Sequence, residues 1–416
     1  MSFFQYIKDK RFFFILYFIL MLFVSLIMVV NDSRNLVIQN LLYTHVICFL
    51  SVSLYITIEY YYRRSFYLEL NDLIENQKED FPVEMLEPQN YELNNLSTRL
   101  AIIFHSFRWD TIPPKSGEYA RKTLDIPEYC LEYWQYINEK LGMPPVGTLH
   151  NLMLYNWKVD NIGSNQIYNI ENVIKGEGLQ PIFCWATEEH REHHKNFSMT
   201  IVRMEAIGAS IFPVIKNVIL SGLTTESITI LLDELHKIVI NITKMFASTL
   251  KKGSFSGESF LSSIQPFMIW GLASKSGKIL TGASGPMSPI VHIVDAILQI
   301  SGKSSMRILL QESRMYMTYE QRSIIELIEK LAKEIQPIIV TNEELINKFN
   351  VCIDTVKRWR IMHKSRAVFT LSEKNIPQKE YLSTGMTIEG EDRLQQLRIQ
   401  LDEIIEETST SRLYHL

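Results

Sequence analysis

The chain is short of paired cysteines. Its 416 residues include four, Cys48, Cys130, Cys184 and Cys352, scattered without close pairs. That excludes a disulfide framework and zinc-knuckle spacing, and it suits a reducing compartment. Charge of one sign is also scarce. The formal net charge is −4, so no global field draws nucleic acid, and none is expected as a partner. No P-loop, dinucleotide-binding glycine motif, or Ser/His/Asp or Cys/His triad candidate stands out. Runs of alternating apolar and polar residues are missing as well. With no strand pattern to read, the fold class expected is all-α.

Long apolar runs are present, and both lie at the front. "FFFILYFILMLFVSLIMVV" (12–30) is apolar throughout, and a bilayer takes about 20 residues to cross. "LVIQNLLYTHVICFLSVSLYITI" (36–58) is less pure but of spanning length, and only "NDSRN" (31–35) separates the two. Lys8, Lys10 and Arg11 precede the first run, and Arg63 and Arg64 follow the second. Basic residues on both outer flanks predict a transmembrane hairpin over 1–64 with both ends in the cytoplasm. Gln39, Asn40 and His45 are then expected to face the partner helix or a wet boundary rather than lipid. The alternative for the first run is a cleaved signal peptide. No small-residue cleavage site follows it, and a second span does. The expectation is a multi-pass protein of the cell membrane, in lipid through residues 12–58, with its C-terminal domain cytoplasmic.

Residues 1–95, including the juxtamembrane run "YYYRRSFYLELNDLIENQKEDF" (60–81), resemble the input region of intramembrane-sensing histidine kinases of bacitracin-type antibiotic resistance. That resemblance implies a peptide-antibiotic transporter as a membrane partner. No phosphoacceptor helix or ATP-lid motif follows, so no kinase is expected.

Beyond about residue 99 the pattern is helical. "TTESITILLDELHKIVINITKMF" (224–246) places Ile228, Leu231, Leu232, Leu235, Val239, Ile242 and Phe246 on one face. Thr318 with Gln321, and Thr341 with Glu344, read as capping boxes. "FSMTIVRMEAIGASIFPVI" (197–215) reads as a near-continuous apolar helix with small residues at 206 and 208–210. "EDRLQQLRIQLDEII" (391–405) reads as a short amphipathic helix that packs. The domains expected are a hairpin (1–64), a juxtamembrane linker (65–98), a smaller irregular subdomain (99–195), a helical domain (196–405) and a tail (406–416).

Three stretches carry candidate chemistry. In "VKRWRIMHKSRAVFTL" (356–371), stepping by three and four from Val356 gives Trp359, His363, Ala367 and Thr370, one inward stripe on a basic helix. In "GASGPMSPIVHIVDAI" (282–297), a loop through Gly282, Ser284, Gly285 and Pro286 opens into a helix. Glycine lets backbone approach a ligand, and a helix N-terminus offers free N–H groups. In "EEHREHHK" (188–195), His190 and His194 share a helical face at i and i+4. That spacing could hold zinc, or the stretch is a hydrated polar segment carrying His193 beside them.

Seven blocks in order over about 125–400 resemble the indoleamine 2,3-dioxygenase superfamily of haem proteins. That group includes the pyrrolnitrin-pathway enzyme that rearranges tryptophan. The blocks are "MPPVGTLHNLMLYNWK" (143–158), "NFSMTIVRMEAIGAS" (196–210), "IQPFMIWG" (264–271), "GASGPMSPIVHIVDAILQI" (282–300), "ESRMYMTYEQR" (312–322), "WRIMHKSRAVF" (359–369) and "STGMT" (383–387). The resemblance implies a helical domain holding haem b, with His363 as the iron ligand and Arg360 beside a haem propionate. It places Phe197 at the substrate-stacking aromatic and Ile201 at the distal position where the family has serine. Ala283, Ser284 and Gly285 would line the distal side, and Thr384 would contact substrate and propionate from a late loop. Gln265 falls where the dioxygenases carry an arginine for the substrate carboxylate. A neutral amide there implies an indole without a free carboxylate, or one anchored elsewhere.

The function implied is that of a membrane-tethered haem oxygenase acting on an indole-type small molecule with dioxygen. Two other expectations stay open: a haem-based sensor signalling to the hairpin, and a catalytically idle haem fold serving as an interaction module.

Overall fold

A computed structural model describes residues 91–108, 128–160, 170–251, 253–268, 280–371, 381–383, 386–387 and 393–414. The chain divides into two compact units, Met1–Met85 and Leu86–Leu416, and all of these residues belong to the second. The expected hairpin and the juxtamembrane run at 60–81 lie outside the described residues.

The second unit is built of helices, with two short antiparallel strand pairs at its margins. Its elements are α1 (Tyr91–Arg108), α2 (Glu128–Leu141), β1 (Trp157–Val159), α3 (Ile170–Lys175), β2 (Leu179–Pro181), α4 (Arg191–Ala209), α5 (Ile211–Leu220) and α6 (Thr225–Thr249). They continue with α7 (Pro289–Ile297), α8 (Ser305–Ser313), α9 (Tyr319–Val340), α10 (Glu343–Leu371), β3 (Tyr381–Ser383), β4 (Met386–Thr387) and α11 (Arg393–Thr410). Between α6 and α7 runs a broken helical stretch, Gly257–Ser259, Phe260–Ile264 and Gln265–Met268. Helix α1 crosses the boundary expected at 98/99, and the irregular subdomain expected over 99–195 holds the rest of α1, then α2, α3 and the β1–β2 pair, registered Trp157 to Pro181 and Val159 to Leu179.

Helix α6 shows why these segments fold as they do. Thr224 is extended, and its hydroxyl accepts from the Ser227 N–H at 3.2 Å, which satisfies one of the free donors of the first turn. Ile228, Leu231, Leu232, Leu235, Val239 and Ile242 are buried, as the spacing predicts, and Ile238 and Met245 join them. Each such side chain contributes roughly 1.5–3 kcal/mol when fully buried. Together with α4, α5, α7, α9 and α10, this face forms the main core. A second core lies under α1 and α2 around Trp134, Leu149, Trp185 and Phe267. A third, smaller one joins α8 to α11 through Met306, Leu310, Leu397, Leu401 and Ile404. The amphipathic tail helix therefore packs, as its sequence suggests, and runs on to Thr410.

Two local expectations change. Thr318 and Gln321 do form a capping box, but Thr341 caps no helix start. It is still helical at the end of α9, where its hydroxyl donates to the Pro337 and Ile338 carbonyls at 3.2 and 3.1 Å. The cap of α10 is Asn342, whose Oδ1 accepts from the Leu345 N–H at 3.1 Å. A helical Thr cannot supply the extended conformation an N-cap needs, and the next residue can. Likewise, 197–215 is not one helix. α4 stops at Ala209 and α5 starts at Ile211, with the Ser210 hydroxyl donating to the Ile207 carbonyl at 2.7 Å. Pro213 has no N–H to return to Ala209, so it fits the first turn of a new helix but not the middle of an old one. By length and composition, Glu188–Leu220 could cross a membrane, but half of its most apolar window is buried inside the domain.

Candidate functional site

The sequence stripe on α10 opens onto a cavity of about 300 Å³. Trp359, Arg360, His363, Arg366, Ala367 and Thr370 of α10 line it. Phe197, Ile201 and Met204 of α4 also line it, as do Phe246 of α6, Phe255 just before the broken stretch, Phe260 and Met268 within it, and the Ser284–Gly285–Pro286 loop. Of the expected site residues, the structure therefore brings His363, Arg360, Phe197, Ile201, Ser284 and Gly285 to one wall system. Gln265 and Ala283 are fully buried and do not line the cavity. Thr384 lies outside the described residues.

The loop is held from three sides. The Thr281 N–H donates to the Tyr316 hydroxyl at 3.1 Å. His292, one turn into α7, reaches back with Nε2 to the Pro286 carbonyl at 2.8 Å, while its Nδ1 accepts from Arg314 Nε at 3.3 Å. That assigns the ring proton to Nε2. Glu205 of α4 takes the Ser288 hydroxyl on one carboxylate oxygen and the Ile290 N–H, at 3.1 Å, on the other. It caps α7 in place of Ser288, whose own side chain does not. Burial pushes the Glu205 carboxyl up to about 7, against the pull of its two hydrogen bonds. A Cβ added at Gly285 would meet no atom within 4 Å, so the loop presents bare backbone to open space.

His363 lines the same cavity. Its ring lies edge-on to Phe246, with centroids 5.8 Å apart, and stacks at 6.1 Å on Trp359. Burial first, and the Arg360 charge second, hold its imidazole below the usual histidine range, so it is neutral near pH 7. Among the described residues, neither ring nitrogen has a hydrogen-bond partner. Phe197 stacks on Phe255 at 5.5 Å and leans on Phe260 at 5.3 Å, which fixes an aromatic shelf on the cavity wall.

Arg360 is more tightly engaged than its sequence position suggests. Its Nη2 meets Asp295 Oδ1 at 2.5 Å, and its Nη1 reaches the Ile404 carbonyl at 3.3 Å and the Thr408 hydroxyl. Asp295 also takes Arg307 Nη1 at 2.7 Å, and Arg307 Nε pairs with Glu407 at 3.3 Å. The two guanidinium groups outweigh burial and hold the Asp295 carboxyl below its ordinary value.

Residues that sequence reasoning missed include Met204, Phe255, Phe260 and Arg366. The two phenylalanines sit in "GSFSGESF" (253–260), where no helical period marks an inward face. The histidine cluster does not converge. His194 is fully buried, edge-on to Trp185 at 4.1 Å, with its pKa lowered by burial to about 3. Among the described residues, no three metal-ligating side chains come together.

A neutral imidazole, two guanidinium groups and a bare glycine backbone on one apolar cavity make a site in a helical protein that could take a flat prosthetic group. The chain belongs to the indoleamine 2,3-dioxygenase family, whose model matches residues 82–378. It is 24% identical over 285 residues to indoleamine 2,3-dioxygenase 1 of Mus musculus, covering 64% of this chain and 65% of that protein. The match thus spans just under two thirds of the relative's length. Haem iron is the cofactor of this family, and the residues present fit it. The imidazole is in the protonation state a metal needs, the walls are apolar, and the space before Gly285 is one that a Cβ or a flat ring could fill.

Proposed function

We propose that this protein is a haem-dependent oxygenase of an indole-type substrate, in which His363 would hold the haem iron. The observation that carries this reading is His363 itself, neutral and lining an apolar cavity that Phe197, Phe255 and Phe260 also line. Haem, when bound, supplies the activation of dioxygen for addition across the indole C2–C3 bond. The chain's own residues position and exclude. Phe246 and Trp359 fix the plane of the His363 ring. Phe197, braced by Phe255 and Phe260, offers a face for an indole to stack on. Ile201 and Met204 keep water from the cavity, and Ile201 sets a branched alkyl group where the resemblance places the family's serine. Asp295 holds Arg360 in place on the cavity wall.

The substrate favoured is an indole without a free carboxylate. Gln265 is away from the cavity, and the lining residues outside α10 include no cation. A desolvated carboxylate against that wall would lack a charged partner. Residues 1–64 are proposed to tether the domain to the cell membrane from the cytoplasmic side, with a membrane transporter as a candidate partner. A reporter after Arg64 should then be cytoplasmic and one inserted at Asp32 external.

The test of function is reconstitution of the full chain with haem, followed by reduction and exposure to oxygen with indole, tryptamine or tryptophan. A histidine-ligated Soret spectrum with consumption of an indole supports an oxygenase. Such a spectrum without turnover of any of them favours the sensor or interaction-module reading.

A further inference from the structure

Helix α10 presents Arg360, His363 and Arg366 to the cavity at intervals of three residues. On an α-helix each such step is about 4.5 Å along the axis and about 60° around it. The two arginines therefore flank the imidazole by one turn on either side. They are not electrostatically equivalent. Arg360 belongs to a closed set with Arg307, Asp295 and Glu407, in which two guanidinium charges meet two carboxylates. Arg366 belongs to no such set: among the described residues, no carboxylate pairs with it, and no acidic side chain lines the cavity. The polar side chains on the wall are those of Ser284, Arg360, His363, Arg366 and Thr370. Among the described residues, one positive charge without a paired carboxylate thus lines an otherwise largely apolar space. A guanidinium there is stabilised by a carboxylate that meets its fork with two parallel N–H···O bonds.

We infer that Arg366 is the carboxylate anchor of the cavity. The inference rests on the haem reading above, in which the carboxylates are the propionates at the haem edge. A carboxylated substrate presents the same chemistry and is the other source. Arg360 then acts chiefly as a structural strut between α7, α10 and α11, and Arg366 sets how firmly the occupant's charged edge is held. Its position one turn past His363 places the charge beside the ligand without crowding it.

The experiment uses the full-length chain loaded with haem or with haem dimethyl ester, which lacks propionate charge. Haem release to excess apomyoglobin is timed for wild type, Arg366→Ala and Arg366→Lys. Arg366 is only partly buried, and circular dichroism checks that the variants fold. Loss of a charge-assisted pair should speed release of haem roughly tenfold to a hundredfold in Arg366→Ala. Arg366→Lys should fall between, and release of the dimethyl ester should be unchanged. If the carboxylate is the substrate's, haem release is unaffected, but the alanine variant loses tryptophan's shift of the ferric spectrum and keeps indole's. Wild-type release of haem together with wild-type responses to both tryptophan and indole overturns the inference. A wild-type chain that takes up no haem overturns the haem reading and this inference with it.

Discussion

The Ile290 N–H donates to Glu205 Oε2 at 3.1 Å, so a carboxylate of α4 caps the helix that follows the cavity's glycine loop. Its companion oxygen holds the Ser288 hydroxyl, and burial raises the carboxyl to about 7 from an ordinary 4.5. Between those two values the folded protein keeps a proton that the unfolded chain has lost. Stability from this group is therefore complete below about pH 4.5 and declines as pH rises to 7. A shift of that size corresponds to about 3 kcal/mol. Glu205→Gln, neutral at every pH, should flatten that decline. Urea midpoints measured every half unit from pH 5 to 8 check it, and parallel curves for the two proteins would remove Glu205 as the cause.

Gly208, on the same helix, lies where α4 crosses α7. A Cβ there would come within 3.0 Å of Ile290 Cβ and closer still to the outer carbons of that side chain. Isoleucine is stiff about χ1 and does not swing aside easily. Gly208→Ala should cost about 1–3 kcal/mol despite the better helix propensity of alanine. Adding Ile290→Ala should recover part of the loss, so that the two changes are non-additive. Strictly additive denaturation energies would show that the crossing can relax.

His363→Ala should leave the fold largely intact, because the ring lines a cavity rather than the core. It should abolish the Soret band or leave weakly held haem. Adding imidazole to the variant should restore some absorbance by filling the vacated position. A variant that retains the wild-type ferric and ferrous spectra would show that another group ligates the iron.

Gln265→Arg should gain no affinity for tryptophan. The side chain is fully buried and off the cavity wall, so a cation introduced there loses hydration without reaching the substrate. The expected result is a lower thermal midpoint and unchanged ligand titrations. Tighter tryptophan binding than in wild type would mean that the position opens to the cavity when ligand is present.

The sequence by itself determined the helical class of the described unit, the inward stripe of α6, the box at Thr318 and Gln321, and the placing of His363 on an inward face. These depend on the helical period and on capping chemistry, which act over one to two turns. It also carried the family resemblance, through short blocks in a fixed order. The tertiary structure alone decided which of those residues share a space. Ala283 precedes Ser284, which reaches the cavity, and Gln265 lies three residues before Met268, which also does, yet neither lines it. Phe255 and Phe260 reach it without any local pattern to announce them, whereas Arg366 follows His363 by one turn of the same helix. The resemblance places Arg360 beside a haem propionate, and the structure has it on the cavity wall. The structure binds it to Asp295, 65 positions away, because a buried guanidinium must find its counter-charge wherever the chain's path brings one within hydrogen-bonding distance. No local sequence signal encodes that path.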